Sequence, residues 1–261
     1  MARYGIVTDI HGNLEALLAV LELLEGKGIE RIVCLGDVVG YNADPDRCAS
    51  LLRDCDALAI GGNHDLIAVR KMGFERCSNK AMFSLAKTRK KLKRDTAAYL
   101  EALPGKGLLT ERVLAVHGGV RDPNQYLVGA RQIRENAMYL RTDYPRVRLC
   151  LYGHTHERRL YEVDGQSVRE LPLEKPLDLS GERLYFANPG SVDASRKREH
   201  KLAECAVFDS HTARFEFYRV EYDYAAAETK ARAAGYRIGR WTDAVYTLRR
   251  RLASRRQAAT P

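Results

Sequence analysis

Five short clusters of metal-binding residue types punctuate the first 156 residues of this 261-residue chain. In order they are Asp9-Ile10-His11, Gly36-Asp37, Gly62-Asn63-His64-Asp65, His117-Gly118-Gly119 and Gly153-His154-Thr155-His156. Carboxylate, imidazole and amide donors mixed in this way suit Mn²⁺, Fe, Zn²⁺, Co²⁺ or Ni²⁺ better than a thiol-seeking metal. Each cluster follows an apolar run: Ile6-Val7, Ile32-Val33-Cys34-Leu35, Leu58-Ala59-Ile60, Val113-Leu114-Ala115-Val116 and Leu149-Cys150-Leu151. Five strand ends that bring such donors to one edge of a sheet would build a dinuclear metal centre. Taken singly, Asp-x-His is most often a surface pair and Gly-Asp a turn. Five in this order make one site.

The elements that must carry these clusters follow from periodicity and chain breakers. Asn13 is placed to cap a helix over residues 14–25, whose apolar positions 14, 17, 18, 21 and 24 recur at helical spacing. Gly26 and Gly28 end it, and residues 31–35 read as the second strand. Asp44-Pro45 opens a second helix, with proline in the first turn where its missing N–H costs nothing. The β-α-β-α-β order predicts parallel strands joined by crossover helices. Residues 66–104 read as a polar, helical insertion rich in Lys and Arg, lying between two clusters so as to overhang them. Its basic residues form either a solvated helix face or a cap that attracts an anion. Past Arg158 the short alternating segments 159–163, 167–171, 183–187, 203–209 and 214–220 predict a second sheet, with Asp164-Gly165 as a hairpin turn. The expected fold class is α/β: a four-layer α-β-β-α sandwich of two mixed sheets flanked by helices, with a helical insertion over the site.

Bulk properties narrow the class. A length of 261 residues and a hydrophobic content of 45% suit one large domain with additions. No run approaches the roughly 20 apolar residues of a membrane span. Strand one begins at once, and a cleaved leader would take Asp9 and His11 with it, so a cytoplasmic location with no membrane partner is expected. The six cysteines contain no Cys-x-x-Cys pair, and buried, reduced thiols are expected. The net charge of +9 is local: residues 230–256 hold nine Lys or Arg against one acid, Asp243, which leaves the rest near neutrality. The expected organisation is a domain over residues 1–222, with the insertion at about 66–104, and a basic helical extension over 223–261 packed on it. Within the extension Trp241, Val245, Leu248 and Leu252 recur at helical spacing. That stripe is expected to pack on the body or on a second subunit, the latter making a homo-oligomer.

The pattern D-x-H…GD…GNHD…HGG…GHTH, extended by Asn188-Pro189-Gly190-Ser191-Val192, resembles the calcineurin-like metallophosphoesterase superfamily and, within it, the small bacterial and archaeal phosphodiesterase-like branch. The likeness covers residues 5–156 in the same order. It implies a first metal held by Asp9, His11, Asp37 and His156 and a second by Asp37, Asn63, His117 and His154, with Asp37 bridging. Two divalent ions a few ångströms apart need a shared carboxylate to offset their repulsion. They can then clamp phosphoryl oxygens and lower the pKa of a bridging water. The implied cofactors are two divalent ions, with Mn²⁺ the choice for assays in vitro. His64 resembles the family's histidine that stabilises the transition state or protonates the leaving oxygen. Asp65 resembles the partner that orients that ring and raises its pKa. These two are the candidate catalytic residues.

One departure restricts the activity. Protein Ser/Thr phosphatases and the symmetrical diadenosine tetraphosphate hydrolases of the family carry a phosphate-binding arginine shortly after Gly-Asp. Here Tyr41 stands in that place, and a phenol cannot replace a bidentate guanidinium fork. Candidate substrate contacts are Arg196 and Arg198, just past the Asn-Pro-Gly-Ser turn, and the turn's own Asn188 and Ser191, which either offer backbone N–H groups or serve the turn alone. The expected function is a dinuclear-metal-dependent phosphoesterase that hydrolyses phosphodiesters or small phosphate monoesters by attack of metal-activated hydroxide. One alternative is a non-catalytic metal-binding scaffold or interaction module on the same fold, which the complete ligand set disfavours. Another is a nuclease variant that holds nucleic acid with its basic tail. His200 and His211 lie outside the motifs and are expected to be exposed or structural.

Overall fold

In the computed structural model the chain is described over residues 2–179, 181–197 and 199–258, with side chains as far as Arg249. It runs β1 (Arg3–Val7), α1 (Leu14–Gly26), β2 (Arg31–Cys34), α2 (Pro45–Asp54) and β3 (Leu58–Ala59). Helices α3 (Asn63–Ala68), α4 (Asn79–Lys91) and α5 (Arg94–Ala102) then precede β4 (Lys106–Thr110) and β5 (Val113–Val116). After α6 (Ala130–Asp143) and β6 (Leu149–Leu151) come β7 (Arg158–Asp164), β8 (Ser167–Glu170), β9 (Leu177–Asp178) and β10 (Leu184–Pro189). Strands β11 (Ala203–Asp209) and β12 (Arg214–Val220) lead to α7 (Tyr224–Ala233) and α8 (Arg240–Ala258). Asn13 caps α1 as its position suggests, its side chain accepting the Ala16 N–H. Gly165 turns the β7–β8 hairpin at φ 57°.

Two six-stranded sheets form, in the orders β3-β2-β1-β11-β12-β9 and β4-β5-β6-β10-β7-β8. Both mix parallel strands with antiparallel ones: β1, β2 and β3 run parallel, as do β5, β6 and β10. Alternation along the strands separates three apolar layers. Val7, Ile32 and Cys34 pack with Leu17, Val20, Leu24 and Leu52 of α1 and α2. Their neighbours Ile6, Val33 and Leu35 pack with Ala115, Leu149 and Leu151 between the sheets. Leu114, Val116, Cys150 and Phe186 close on Ile133, Ala137 and Leu140 of α6. The result is the four-layer α-β-β-α sandwich expected from the sequence.

Three expectations are corrected. The ligand-bearing runs end on two sheets, not one: β1, β2 and β3 belong to the first, β5 and β6 to the second. The clusters therefore meet where the ends of the two sheets coincide. The apolar stripe of the last helix does not pack on the body. Trp241 is 89% exposed, Val245 and Leu248 are also exposed, and the Leu252 side chain lies outside the described residues. Asn79 at the start of α4 donates to Asp243 and Thr247, and Phe83 meets Tyr246, so a polar face of α8 docks and the stripe turns outward. Five cysteines are buried and none of the six is in a disulfide, but Cys55 is exposed. Among the described residues no helix is long and apolar enough to cross a membrane.

Candidate metal centre

Four clusters occupy the turn just past their strands, where the backbone can bend donors inward, and Gly-Asn-His-Asp opens a helix there. Asp9, His11, Asp37, His154 and His156 all have φ between 52° and 66°. The left-handed region costs a non-glycine residue roughly 1–3 kcal/mol and persists only where the surroundings over-determine it. Here hydrogen bonds do so: the Asp9 N–H donates to the Gly36 carbonyl (3.0 Å) and the His11 N–H to that of Asp37 (2.9 Å). The His154 N–H donates to Asp9 Oδ2 (3.0 Å) and the His64 N–H to Asp37 Oδ1 (2.8 Å). Gly40, at φ 151°, leaves no room for a side chain. A Cβ there would lie 2.6 Å from His64 Nδ1 and 2.8 Å from His11 Nδ1.

The seven expected ligands come together in two donor sets. In one, His11 Nε2 and His156 Nε2 are 3.1 Å apart, with Asp9 Oδ1 3.2 Å from His156 and Asp37 Oδ2 3.8 Å from His11. Ligand nitrogens about 2.0–2.1 Å from one ion and at adjacent positions would be separated by roughly 3 Å. In the other set, His117 Nε2 lies 3.0 Å from Asn63 Oδ1 and 3.4 Å from Asp37 Oδ1, and His154 joins Asp37 and His117 with donor atoms within 4.8 Å. Asp37 thus turns one oxygen to each set. The His117 Nδ1–H donates to the Leu35 carbonyl (2.8 Å), which aims Nε2 into the site.

The polar atoms fit divalent ions. Asp9 Oδ1 in the first set and His154 Nε2 in the second are buried with no hydrogen-bond partner, a costly condition that a cation in each set would relieve. Burial pushes the Asp37 carboxyl up, yet His117, His64 and His11 outweigh it and hold it well below the usual carboxylate range. Burial pulls His117 down, yet Asp37 outweighs that and raises the imidazole to about 9. The pocket therefore favours a positive charge beside Asp37 strongly enough to keep a proton there, and a metal ion would take that proton's place.

The candidate catalytic and substrate residues divide differently. His64 is buried, its ring centroid 4.5 Å from His11 and 4.9 Å from Tyr41, and burial pushes its imidazole down to about 4 against the pull of Asp37. Its ring also comes within 4.8 Å of donor atoms on His11 and Asp37. Asp65 does not orient it. Its oxygens accept the N–H groups of Gly62 (3.0 Å) and Val39 (3.1 Å), and His64 Nδ1 has no hydrogen-bond partner. Gly-Asn-His-Asp is the start of α3, and Asp65 sits where a carboxylate reaches back to the helix cap. Asn188 and Ser191 are fully buried and face other backbone, not an incoming substrate. The Asn188 side chain donates to Gly153 O (2.9 Å) and Thr155 Oγ1 (3.0 Å), and Ser191 Oγ donates to Asp193 O (2.6 Å). With the Val192 and Asp193 N–H groups donating to Thr8 and Asp9, this segment laces the Gly-His-Thr-His turn to the end of β1.

Arg196 is brought to the site, its guanidinium 3.1 Å from His156 Nε2, whereas Arg198 lies outside the described residues. Beside the donor sets is a pocket of about 120 Å³ lined by Asp37, Asn63, His64 and His154, with Tyr41 and Arg196. Arg76, Asn124 and Tyr126 also line it, and the Tyr126 ring is 4.0 Å from that of His154. Sequence reasoning missed these three. They stand alone in polar loops, and the only signal was their nearness to the Gly-Asn-His-Asp and His-Gly-Gly clusters. His200 is half-buried, with Nδ1 accepting the Leu202 N–H, and His211 is exposed.

Comparison with known proteins converges on one family. Residues 2–213 match the calcineurin-like phosphoesterase superfamily domain. An uncharacterized protein of Methanocaldococcus jannaschii is 31% identical over 231 residues, covering 87% of this chain and 90% of that protein. The crystal structure of a metallophosphoesterase from Sphaerobacter thermophilus superposes with a TM-score of 0.76 at 30% identity, over 93% of this chain and 97% of that one. A hypothetical protein from Pyrococcus horikoshii OT3 shares the fold at 19% identity, with a TM-score of 0.69 over 94% and 97% of the two chains. The chain belongs to the calcineurin-like phosphoesterase superfamily.

Proposed function

We propose that the protein hydrolyses phosphodiesters or small phosphate monoesters with two divalent ions, Mn²⁺ serving in vitro and Fe, Zn²⁺, Co²⁺ or Ni²⁺ as the alternatives. One ion would be held by Asp9, His11, Asp37 and His156, the other by Asp37, Asn63, His117 and His154. The observation that carries this reading is the division of Asp37, with Oδ2 on the His11 side and Oδ1 on the His117 side. Bound there, such ions supply a clamp on the phosphoryl oxygens and a water of lowered pKa. His64 stays off the metals, because the first set already has four donors, and its ring N–H is donated to the oxygen that leaves. Arg196, beside His156 in the lining of the same pocket, supplies the positive charge that Tyr41 cannot. The chemistry belongs to residues 1–222, with 223–261 as an extension on that domain.

The test is a panel of bis-p-nitrophenyl phosphate, p-nitrophenyl phosphate, cyclic nucleotides and nucleic acid assayed with Mn²⁺ and again with EDTA. Turnover of at least one ester that EDTA abolishes is expected. Turnover that survives complete metal removal would refute the two-metal reading. The scaffold alternative predicts no turnover of any ester with two ions bound.

A further inference from the structure

Two grooves open from the site, and both contain Arg196. The first, about 700 Å³, runs along β7 and is charge-balanced: Arg158, Arg159, Arg196, Lys197 and Arg219 face five glutamates. The second, about 830 Å³, has six basic side chains against a single acid, Glu228. Its cations come from three separate parts of the chain. Lys80 comes from the start of α4, Lys201 from the segment after β10, and Arg232 and Arg237 from α7 and the turn that follows. Tyr41 and Ser78 line both this groove and the small pocket over the donor sets, so the two spaces are continuous at Arg196.

Lys197 is neutralised by buried Glu204, and Arg232 and Arg237 share Glu228. Lys80, Lys201 and Arg196 form no ion pair with an acid among the described residues. Lys201 is held in place by the carbonyls of Ala194, Ser195 and Lys197 and lies 5.2 Å over the Tyr224 ring. A concave surface with several cations and one acid, continuous with a phosphoester site, is electrostatically complementary to more negative charge than one scissile phosphate brings. Its volume falls in the range of sites for small ligands.

We propose that this groove receives the non-reacting part of the substrate, and that this part carries a second phosphate: the substrate class is a small phosphoester with a further phosphate group, of the kind a nucleoside bisphosphate ester presents. This rests on the phosphoesterase reading above and specifies it. The second phosphate lies among Lys80, Lys201 and Arg232 while the scissile one meets the donor sets, and the C-terminal extension is thereby part of substrate recognition.

The experiment uses two substrates with the same scissile bond and leaving group: thymidine 5′-(p-nitrophenyl phosphate) with either a 3′-hydroxyl or a 3′-phosphate. With Mn²⁺, kcat/KM is expected to be about tenfold or more higher for the 3′-phosphate, and the ratio to fall toward one in Lys80→Gln/Arg232→Gln. A binding readout stands beside it. Thymidine 3′,5′-bisphosphate should bind the full-length chain before metal is added at least about tenfold more tightly than the 5′-monophosphate, and the double variant should lose that margin. Equal kcat/KM and equal binding for the two ligands would overturn the groove assignment while leaving the phosphoesterase reading intact. Hydrolysis of neither ester, nor of bis-p-nitrophenyl phosphate, would instead refute the underlying activity. A preference that keeps rising with each nucleotide added to an oligothymidylate ester would overturn the small-substrate assignment in favour of a nucleic-acid strand.

Discussion

Asp37 offers one oxygen to each donor set, so its loss takes a ligand from both. Asp37→Ala is expected to abolish turnover and to bind fewer than two metal ions per chain by elemental analysis; two ions retained would remove its bridging role. His64 makes the opposite prediction. His64→Ala should lower kcat by roughly 10² to 10⁴, the usual range for acid–base help, with two ions still bound. The loss should shrink for p-nitrophenyl esters, whose leaving oxygen needs no proton, relative to alkyl esters. A fall to one ion would make His64 a ligand. At this scale the meeting of the seven candidate donors was legible because their motifs are dense in rare residue types. The partner of His64 was not. Asp65 is its chain neighbour, but consecutive residues on a helix do not face each other, and the carboxylate turns back to Gly62.

The strands were legible where they are long and apolar, and obscure where they are short. Residues 203–209 and 214–220 coincide with β11 and β12, although they join the first sheet beside β1 and not the second as expected, whereas the two-residue β9 and the half-exposed β4 carry too little alternation to be seen. That the five ligand runs divide between two sheets was equally hidden, because strand pairing is decided by contacts far apart in sequence. The Asn188–Asp193 segment is what holds the two sheet ends in register at the site. It bonds Gly153 and Thr155 on one side and Thr8 and Asp9 on the other. Asn188→Ala leaves the Gly153 carbonyl and the Gly190 N–H without these partners, at a cost of roughly 1–3 kcal/mol for each group left unsatisfied. A chain of this size should then melt several degrees lower, about 2–4 °C per kcal/mol. Metal content should fall through the displaced His154 and His156, while KM for a small ester changes little. A large KM increase with metal content and melting temperature intact would return Asn188 to the role of a substrate contact.

At the scale of the whole molecule, the basic extension is two structures with different duties. Lys230 on α7 pairs with Glu15 and Asp44, and Ala227 and Ala231 are buried. The Arg237 guanidinium donates to the Tyr41 carbonyl (2.8 Å) and to Asn42 Oδ1 (3.0 Å). Asn42 in turn donates to Asp193 (3.1 Å), so the extension braces both the Tyr41 loop and the segment that joins the sheets. By contrast α8 leans on α4 through a few polar contacts and turns Trp241, Val245 and Leu248 outward. Net charge does not reveal this division, since Lys and Arg are spread across both parts. Ending the chain after Gly239 should leave kcat on bis-p-nitrophenyl phosphate within about twofold and the melting temperature within a few degrees, as removal of exposed surface usually does. Ending it after Tyr222 should lower both and expose the apolar face of α1. Should that shorter chain prove insoluble, Arg237→Ala reads the same brace. It removes the donors to Tyr41 and Asn42 and should raise KM and lower the melting temperature, without changing metal content. Equal behaviour of the two truncations, with Arg237→Ala indistinguishable from the parent, would mean that the extension braces nothing.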